Sequence, residues 1–147
     1  MPPIVRLATE ADADAIRAIY NLEVSGSTVT FDLVPRSHRD QAVWLAAHDG
    51  AHPATVATGP GGEVLGFGSL SPWRDRPAYS TSVEDSVYVR EDQRGQGIGR
   101  VLLADLVERE VGRKFGRWLD VVVMERSLSE GNKVAAGLPS ARSRLLT

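Results

Sequence analysis

The chain contains no cysteine. That absence removes disulfides, thiolate metal sites and a thiol nucleophile, so any covalent chemistry must pass through an oxygen or nitrogen nucleophile. Long apolar runs are missing as well. No stretch approaches the roughly 18 residues of a membrane-spanning helix, and no charged-then-apolar leader opens the chain, so a cytoplasmic protein without membrane contact is expected. Charge of neither sign is in excess. Lys and Arg number 17 against 19 Asp and Glu, a formal net charge of −2, which offers no basic surface for nucleic acid. Metal-ligand spacing is lacking too: His38, His48 and His52 are scattered about one helical segment and read as surface or packing residues, and no metal is expected. What is there is an ordinary globular composition, 42% hydrophobic and 24% charged over 147 residues. That suffices for one domain with its own core.

The most informative stretch runs from Val83 to Leu103. It reads as a strand carrying carboxylates, then a basic, glycine-rich turn, then the opening of an amphipathic helix. Gly95, Gly97 and Gly99 allow backbone conformations closed to other residues. The helix that follows aims unpaired N–H groups and a positive dipole end at the turn, which makes it a cradle for an anion. Arg94 and Arg100 flank it and can add charge-assisted contacts to a phosphate. A turn of this kind can also be no more than a tight connection. The P-loop motif needs Lys then Ser or Thr where Arg100-Val101 stand, and the dinucleotide fingerprint needs Gly-x-Gly-x-x-Gly where the spacing is Gly95-x-Gly97-x-Gly99. Neither fits.

Ahead of this stretch, Ile4 to Ala8 alternates as a short strand. Thr9 caps a helix, with Asp12 closing the capping box and Ala15, Ile16, Ile19 and Tyr20 forming its buried face to about Leu22. The acidic first turn, Glu10, Asp12 and Asp14, reads as a solvated cap. Val29 to Phe31 is a candidate extended piece, and a second helix starts after Ser37 and stops by Gly50. Ala54–Thr58 and Val64–Leu70 read as a hairpin joined by Gly59-Pro-Gly-Gly62. Ser71 to Tyr79 then gathers Trp73, Arg74, Arg76 and Tyr79, aromatic rings beside guanidiniums that suit a small anion with an apolar stem. The other reading is a loop whose arginines face water. The order strand, helix, helix, strand, strand predicts an α/β (α+β) fold, a mixed and mostly antiparallel sheet flanked by helices.

Arg94-Gly95-Gln96-Gly97-Ile98-Gly99 resembles the acetyl-CoA signature of the GNAT acetyltransferases at every defined position. Longer segments are similar to one family within it, the phosphinothricin and methionine sulfoximine N-acetyltransferases. They are Asn21-Leu-Glu-Val, Ser27-Thr-Val-Thr-Phe, Ser71-Pro-Trp-Arg-Asp-Arg-Pro-Ala-Tyr, Val83-Glu-Asp-Ser-Val-Tyr-Val and Gly112-Arg-Lys-Phe-Gly-Arg-Trp-Leu-Asp. The resemblance implies that residues 94–100 hold the pyrophosphate of acetyl-CoA and that Val87, Tyr88 and Val89 lie beside its pantetheine arm. It implies further that Trp73, Arg74, Arg76 and Tyr79 contact an amino-acid substrate, that Glu84 is the general base, and that the protein is a homodimer. Chemistry supports a carboxylate there, because an α-ammonium must lose a proton before it attacks a thioester; unaided, Glu84 could equally pair with a loop arginine. Strand alternation turns Asp85 to the opposite face and makes it the weaker candidate.

The chain also departs from the family. Val107 to Val111 runs almost directly into Gly112, so a strand, a helix and a further strand are missing, and with them the family's active-site histidine. Arg117 to Met124 reads as a strand that could enter the vacant place; a second chain could fill it instead. Residues 1–128 are therefore expected to form one acetyltransferase domain, incomplete in its C-terminal half, with 129–147 a flexible tail. The main alternative is a non-catalytic acyl-CoA-binding remnant.

Overall fold

The computed structural model describes residues 2–77, 82–111 and 122–123. Five strands form one sheet in the order β1-β2-β3-β4-β5, where β1 is Ile4–Leu7, β2 Ala54–Thr58, β3 Val64–Pro72, β4 Val83–Val89 and β5 Val122–Val123. The first three pairings are antiparallel and the last is parallel. Helices α1 (Ala13–Gly26) and α2 (His38–Ala46) cover one face, and α3 (Ile98–Val111) covers the other. The expected mixed, mostly antiparallel architecture is present.

Helix α1 begins where the Thr9–Asp12 capping box closes. Its buried positions, Ile16, Ile19, Tyr20 and Glu23, follow the i, i+3, i+4, i+7 stripe of a helix lying on a sheet. Ile16, Ile19 and Tyr20 pack on Val56 and Phe67. The helix runs to Gly26, a full turn past the expected stop at Leu22, because Val24 also packs on the core and Ser27 holds the last turn by donating to the Glu23 carbonyl oxygen. Asp12 is no solvated cap: it is buried and accepts two guanidinium hydrogen bonds from Arg6, at 2.7 and 2.9 Å. Val29 to Phe31 forms no strand. The second capping box, Ser37 with Asp40, forms as expected.

On the opposite face, α3 buries Ile98, Leu102 and Leu106 at four-residue spacing. Gly66 and Gly68 of β3 face this helix. A Cβ on Gly66 would come within 2.8 Å of the Tyr88 carbonyl oxygen, and one on Gly68 within 2.9 Å of Leu106. Their missing side chains let the helix lie close to the strand.

The expected strand Arg117 to Met124 is represented by Val122 and Val123; its remaining residues lie outside those described. They pair parallel to β4 at Val83 and Glu84, so these two residues stand in the position beside β4. The tail assigned to 129–147 also lies outside the described residues.

Candidate active site

β4 is the axis of the site. It pairs with β3 along its whole length, from Pro72↔Val83 to Gly66↔Val89, and its other edge meets β5 at Val83 and Glu84. Beyond that, among the described residues, no strand pairs with this edge.

The two faces of β4 differ in chemistry. Val83, Asp85, Val87 and Val89 turn toward α3, where Val87 and Val89 pack on the cluster of Ile98 and Leu102. Both carboxylate oxygens of Asp85 are buried there without a hydrogen-bond partner among the described residues. Burial pushes its carboxyl up to about 7. Glu84, Ser86 and Tyr88 turn toward α1 and α2. Tyr88 stacks on Phe67 at 5.2 Å and meets Tyr20 edge-on at 5.4 Å; burial pushes its hydroxyl up to about 12, so it stays a protonated donor. Opposite them in β3 stand Ser71, Ser69 and Phe67. Glu84 and three serines therefore line one strip of the sheet, and Glu84 is its exposed member.

At the C-terminal end of β4 the chain makes a 3-10 turn, Glu91–Gln93, then the glycine turn, and enters α3 at Ile98. Gly95 and Gly97 have φ of +79° and +81°, the left-handed region that glycine reaches without strain. An added Cβ at Gly99 would make only ordinary contacts with Val89 and Val87, at 3.6 and 3.8 Å. Internal packing therefore does not require glycine at 99. Among the described residues, no backbone acceptor takes the N–H groups of Gly95, Gln96, Gly97, Ile98 or Gly99. Five such donors at a helix N-terminus fit a pyrophosphate.

The side chains around this turn divide into two sets. Gln96 and Arg100 are exposed, whereas Ile98 is buried in the core and offers only its backbone. Arg94 is half-exposed; it donates to the buried carboxylate of Glu23 on α1 and, at 3.3 Å, to the Val89 carbonyl oxygen. It ties the turn to the body of the protein. The acceptor loop is only partly described. The Trp73 N–H donates to the Ser82 carbonyl oxygen at 3.3 Å, which prolongs the β3–β4 ladder. The Arg74 guanidinium lies over the Trp73 ring at 4.8 Å. Arg76 is exposed, and Tyr79 is outside the described residues.

Sequence reasoning missed several groups on the Glu84 face. Arg36 stacks over Tyr20 at 3.6 Å and over Trp44 at 4.7 Å, and burial lowers its pKa. His48 reaches Ser71. The alternation of Phe67, Ser69 and Ser71 against Glu84, Ser86 and Tyr88 held the signal for the serines. Glu23, a carboxylate on an otherwise apolar stripe seven residues after Ile16, signalled a buried charge needing a partner.

A strand that leads into an anion cradle at a helix N-terminus is an arrangement suited to an acyl-CoA-dependent acyltransferase. The acetyltransferase (GNAT) family model matches residues 16–127, and the chain belongs to that family. It is 33% identical over 165 aligned positions to the L-methionine sulfoximine/L-methionine sulfone acetyltransferase of Pseudomonas paraeruginosa, covering 87% of this chain and 96% of that protein. It is 34% identical over 163 positions to the phosphinothricin N-acetyltransferase of Streptomyces coelicolor, covering 84% and 95%. Alignments longer than the 147-residue chain require gaps on its side, as the missing segment implies. Among solved structures, the phosphinothricin acetyltransferase of Sinorhizobium meliloti in complex with AcCoA superposes with a TM-score of 0.77 at 34% identity. That match covers 84% of this chain and 66% of the other.

Proposed function

We propose that this chain transfers the acetyl group of acetyl-CoA to the amino group of a small amino acid of the phosphinothricin or methionine sulfoximine type, the acceptors named for its relatives. The observation that carries the reading is the arrangement along β4: an exposed carboxylate at its start, where β5 pairs, and an anion cradle of left-handed glycines and backbone N–H groups with no backbone acceptor among the described residues at its far end.

In this reading residues 1–128 act as one domain. Backbone N–H groups of 95–99, with Arg100 and Gln96, hold the pyrophosphate, while the edge of Val87, Tyr88 and Val89 orients the pantetheine amides. Arg94 serves by fixing the turn through Glu23. Acetyl-CoA supplies an activated acyl carbon and a thiolate leaving group. Glu84 takes a proton from the acceptor ammonium, directly or through a water, and a β4 backbone N–H near Val89 stabilises the oxyanion. Trp73, Arg74, Arg76 and Tyr79 receive the acceptor's anionic groups. Phe31, Leu33 and Val34, which are 96%, 91% and 77% exposed in the α1–α2 connection, suit burial against a second copy in a homodimer. The reaction belongs in the cytoplasm, where acetyl-CoA is made.

The test is release of free coenzyme A thiol from acetyl-CoA in the presence of phosphinothricin. Glu84→Gln is expected to lower kcat by about 10²- to 10⁴-fold, the usual range for loss of a general base, with acetyl-CoA still bound. An unchanged rate in that variant removes Glu84 from the mechanism. The gap that the relatives' alignments require in this chain favours one other reading, a binder without turnover, which predicts acetyl-CoA binding and no thiol release.

A further inference from the structure

Ser71 stands directly across from Glu84 in the β3–β4 ladder. Residues so paired hold their Cβ atoms about 4.5–5.5 Å apart on the same face. His48, just past the end of α2, reaches the same point from above. Its ring lies against Trp44 with centroids 4.1 Å apart. Nδ1 is 2.7 Å from the Trp44 carbonyl oxygen, and Nε2 is 3.2 Å from the Ser71 hydroxyl oxygen. A carbonyl only accepts, so Nδ1 carries the hydrogen; in a neutral imidazole Nε2 is then an acceptor, and the Ser71 hydroxyl donates to it. Burial of the ring, with repulsion from Arg36 and His52, favours this neutral form.

The single hydroxyl hydrogen of Ser71 is thereby committed to His48. What Ser71 presents beside Glu84 is lone pairs. From this juxtaposition we propose that Ser71 is a further substrate-contacting residue, accepting one N–H of the acceptor amine while Glu84 takes the proton, and that His48 is a positioning residue acting through it. The inference rests on the reading of Glu84 as base.

The chemistry needs such a second acceptor. An α-ammonium carries three N–H bonds. One breaks as its proton passes to a Glu84 oxygen, and the electron pair left on nitrogen must aim at the thioester carbon. Glu84 alone leaves the amine free to rotate about its C–N bond, whereas a fixed acceptor for a second N–H sets the lone pair's direction. A serine free to donate would turn its hydrogen to the Glu84 carboxylate and stabilise the charged form, making it a weaker base. His48 prevents that.

The experiment compares Ser71→Ala, His48→Leu, His48→Gln and the double variant Ser71→Ala/His48→Leu, using thiol release with phosphinothricin alongside calorimetric acetyl-CoA binding. Ser71→Ala and His48→Leu are each expected to lower kcat about tenfold, the worth of one neutral hydrogen bond, with acetyl-CoA affinity unchanged. His48→Gln, which can still accept from Ser71, is expected to keep most of the rate. The double variant should be no slower than Ser71→Ala alone, because both changes remove one interaction. A Ser71→Ala rate within twofold of the unaltered chain overturns the proposal, as do effects that multiply in the double variant. If His48→Leu does not fold, Ser71→Ala and His48→Gln still decide it: the proposal stands if only the alanine is slow and falls otherwise. Glu84→Gln, run in parallel, separates the two readings. A collapse there with Ser71→Ala intact sinks only the present proposal, while an intact Glu84→Gln, or no turnover in the unaltered chain, overturns both.

Discussion

Removing the negative charge at Asp85 should stabilise the protein, and increasingly so as pH rises. Asp85 lies on the α3 face of β4, with Leu70 opposite it in the ladder and Val83 and Val87 on the same face of its own strand. Neither oxygen has a hydrogen-bond partner among the described residues. Burial disfavours the charged form and moves the carboxyl from 3.8 to about 7. Between those values the native state holds a proton that the unfolded chain has released. Native protein therefore binds more protons, and the free energy of unfolding falls as pH climbs through this window, then levels off above it. At about 1.4 kcal/mol for each pH unit, the roughly three units amount to at most about 4 kcal/mol.

Asp85→Asn keeps the shape and abolishes the titration. Urea unfolding of both chains at pH 4.5, 6 and 8 isolates the effect, since every other titrating group cancels in the difference between them. The expected outcome is near-coincidence at pH 4.5 and a variant more stable by about 2–4 kcal/mol at pH 8, with the dependence on urea unchanged. In a thermal scan this is a rise of very roughly 5–15 °C for a chain of this size. A stability difference that does not vary with pH refutes the reasoning, because it would mean that Asp85 ionises in the native state as readily as in the unfolded one.

Asp12 should show the opposite dependence. Its hydrogen bonds from Arg6 hold its carboxyl below the usual value, so the stability it contributes is present above about pH 4 and lost as pH falls through the native-state value. Arg6→Ala is expected to cost about 1–3 kcal/mol at pH 7 by stranding a buried carboxylate, and the deficit should shrink in acid; urea midpoints at pH 3 and 7 measure it. At Gly97, with φ of +81°, alanine should cost about 1–2 kcal/mol of backbone strain. Valine there should also abolish the upward thermal shift that saturating acetyl-CoA gives the unaltered chain, about 2.7 kcal/mol at a hundredfold excess over Kd.

Local chemistry made much of this legible in the sequence. The capping boxes at Thr9 and Ser37, the Gly59–Gly62 hairpin and the glycine turn before α3 are decided by residues within a few positions of each other, and the structure has all four. Strand alternation likewise assigned Glu84 and Asp85 to opposite faces. What could not be read were contacts between distant segments. Glu23 and Arg94 are 71 positions apart, and Ser71 and His48 are 23 apart; no periodicity in either segment specifies its partner. Asp12 was misread for a related reason. Its helix-end position suggested solvent, but the adjoining strand β1 brings Arg6 over it and turns a surface cap into a buried ion pair.

The shortened C-terminal half raises the sharper physical question of what holds the backbone of the proposed base in place. Val122 and Val123 supply part of the answer. By pairing at Val83 and Glu84 they hold the backbone of the proposed base on two sides, β3 and β5, at the rungs where a shift of an ångström would matter most to proton transfer. The loss of sequence after α3 falls least on Glu84, Ser71 and the glycine turn, all of which are built from residues that precede the gap.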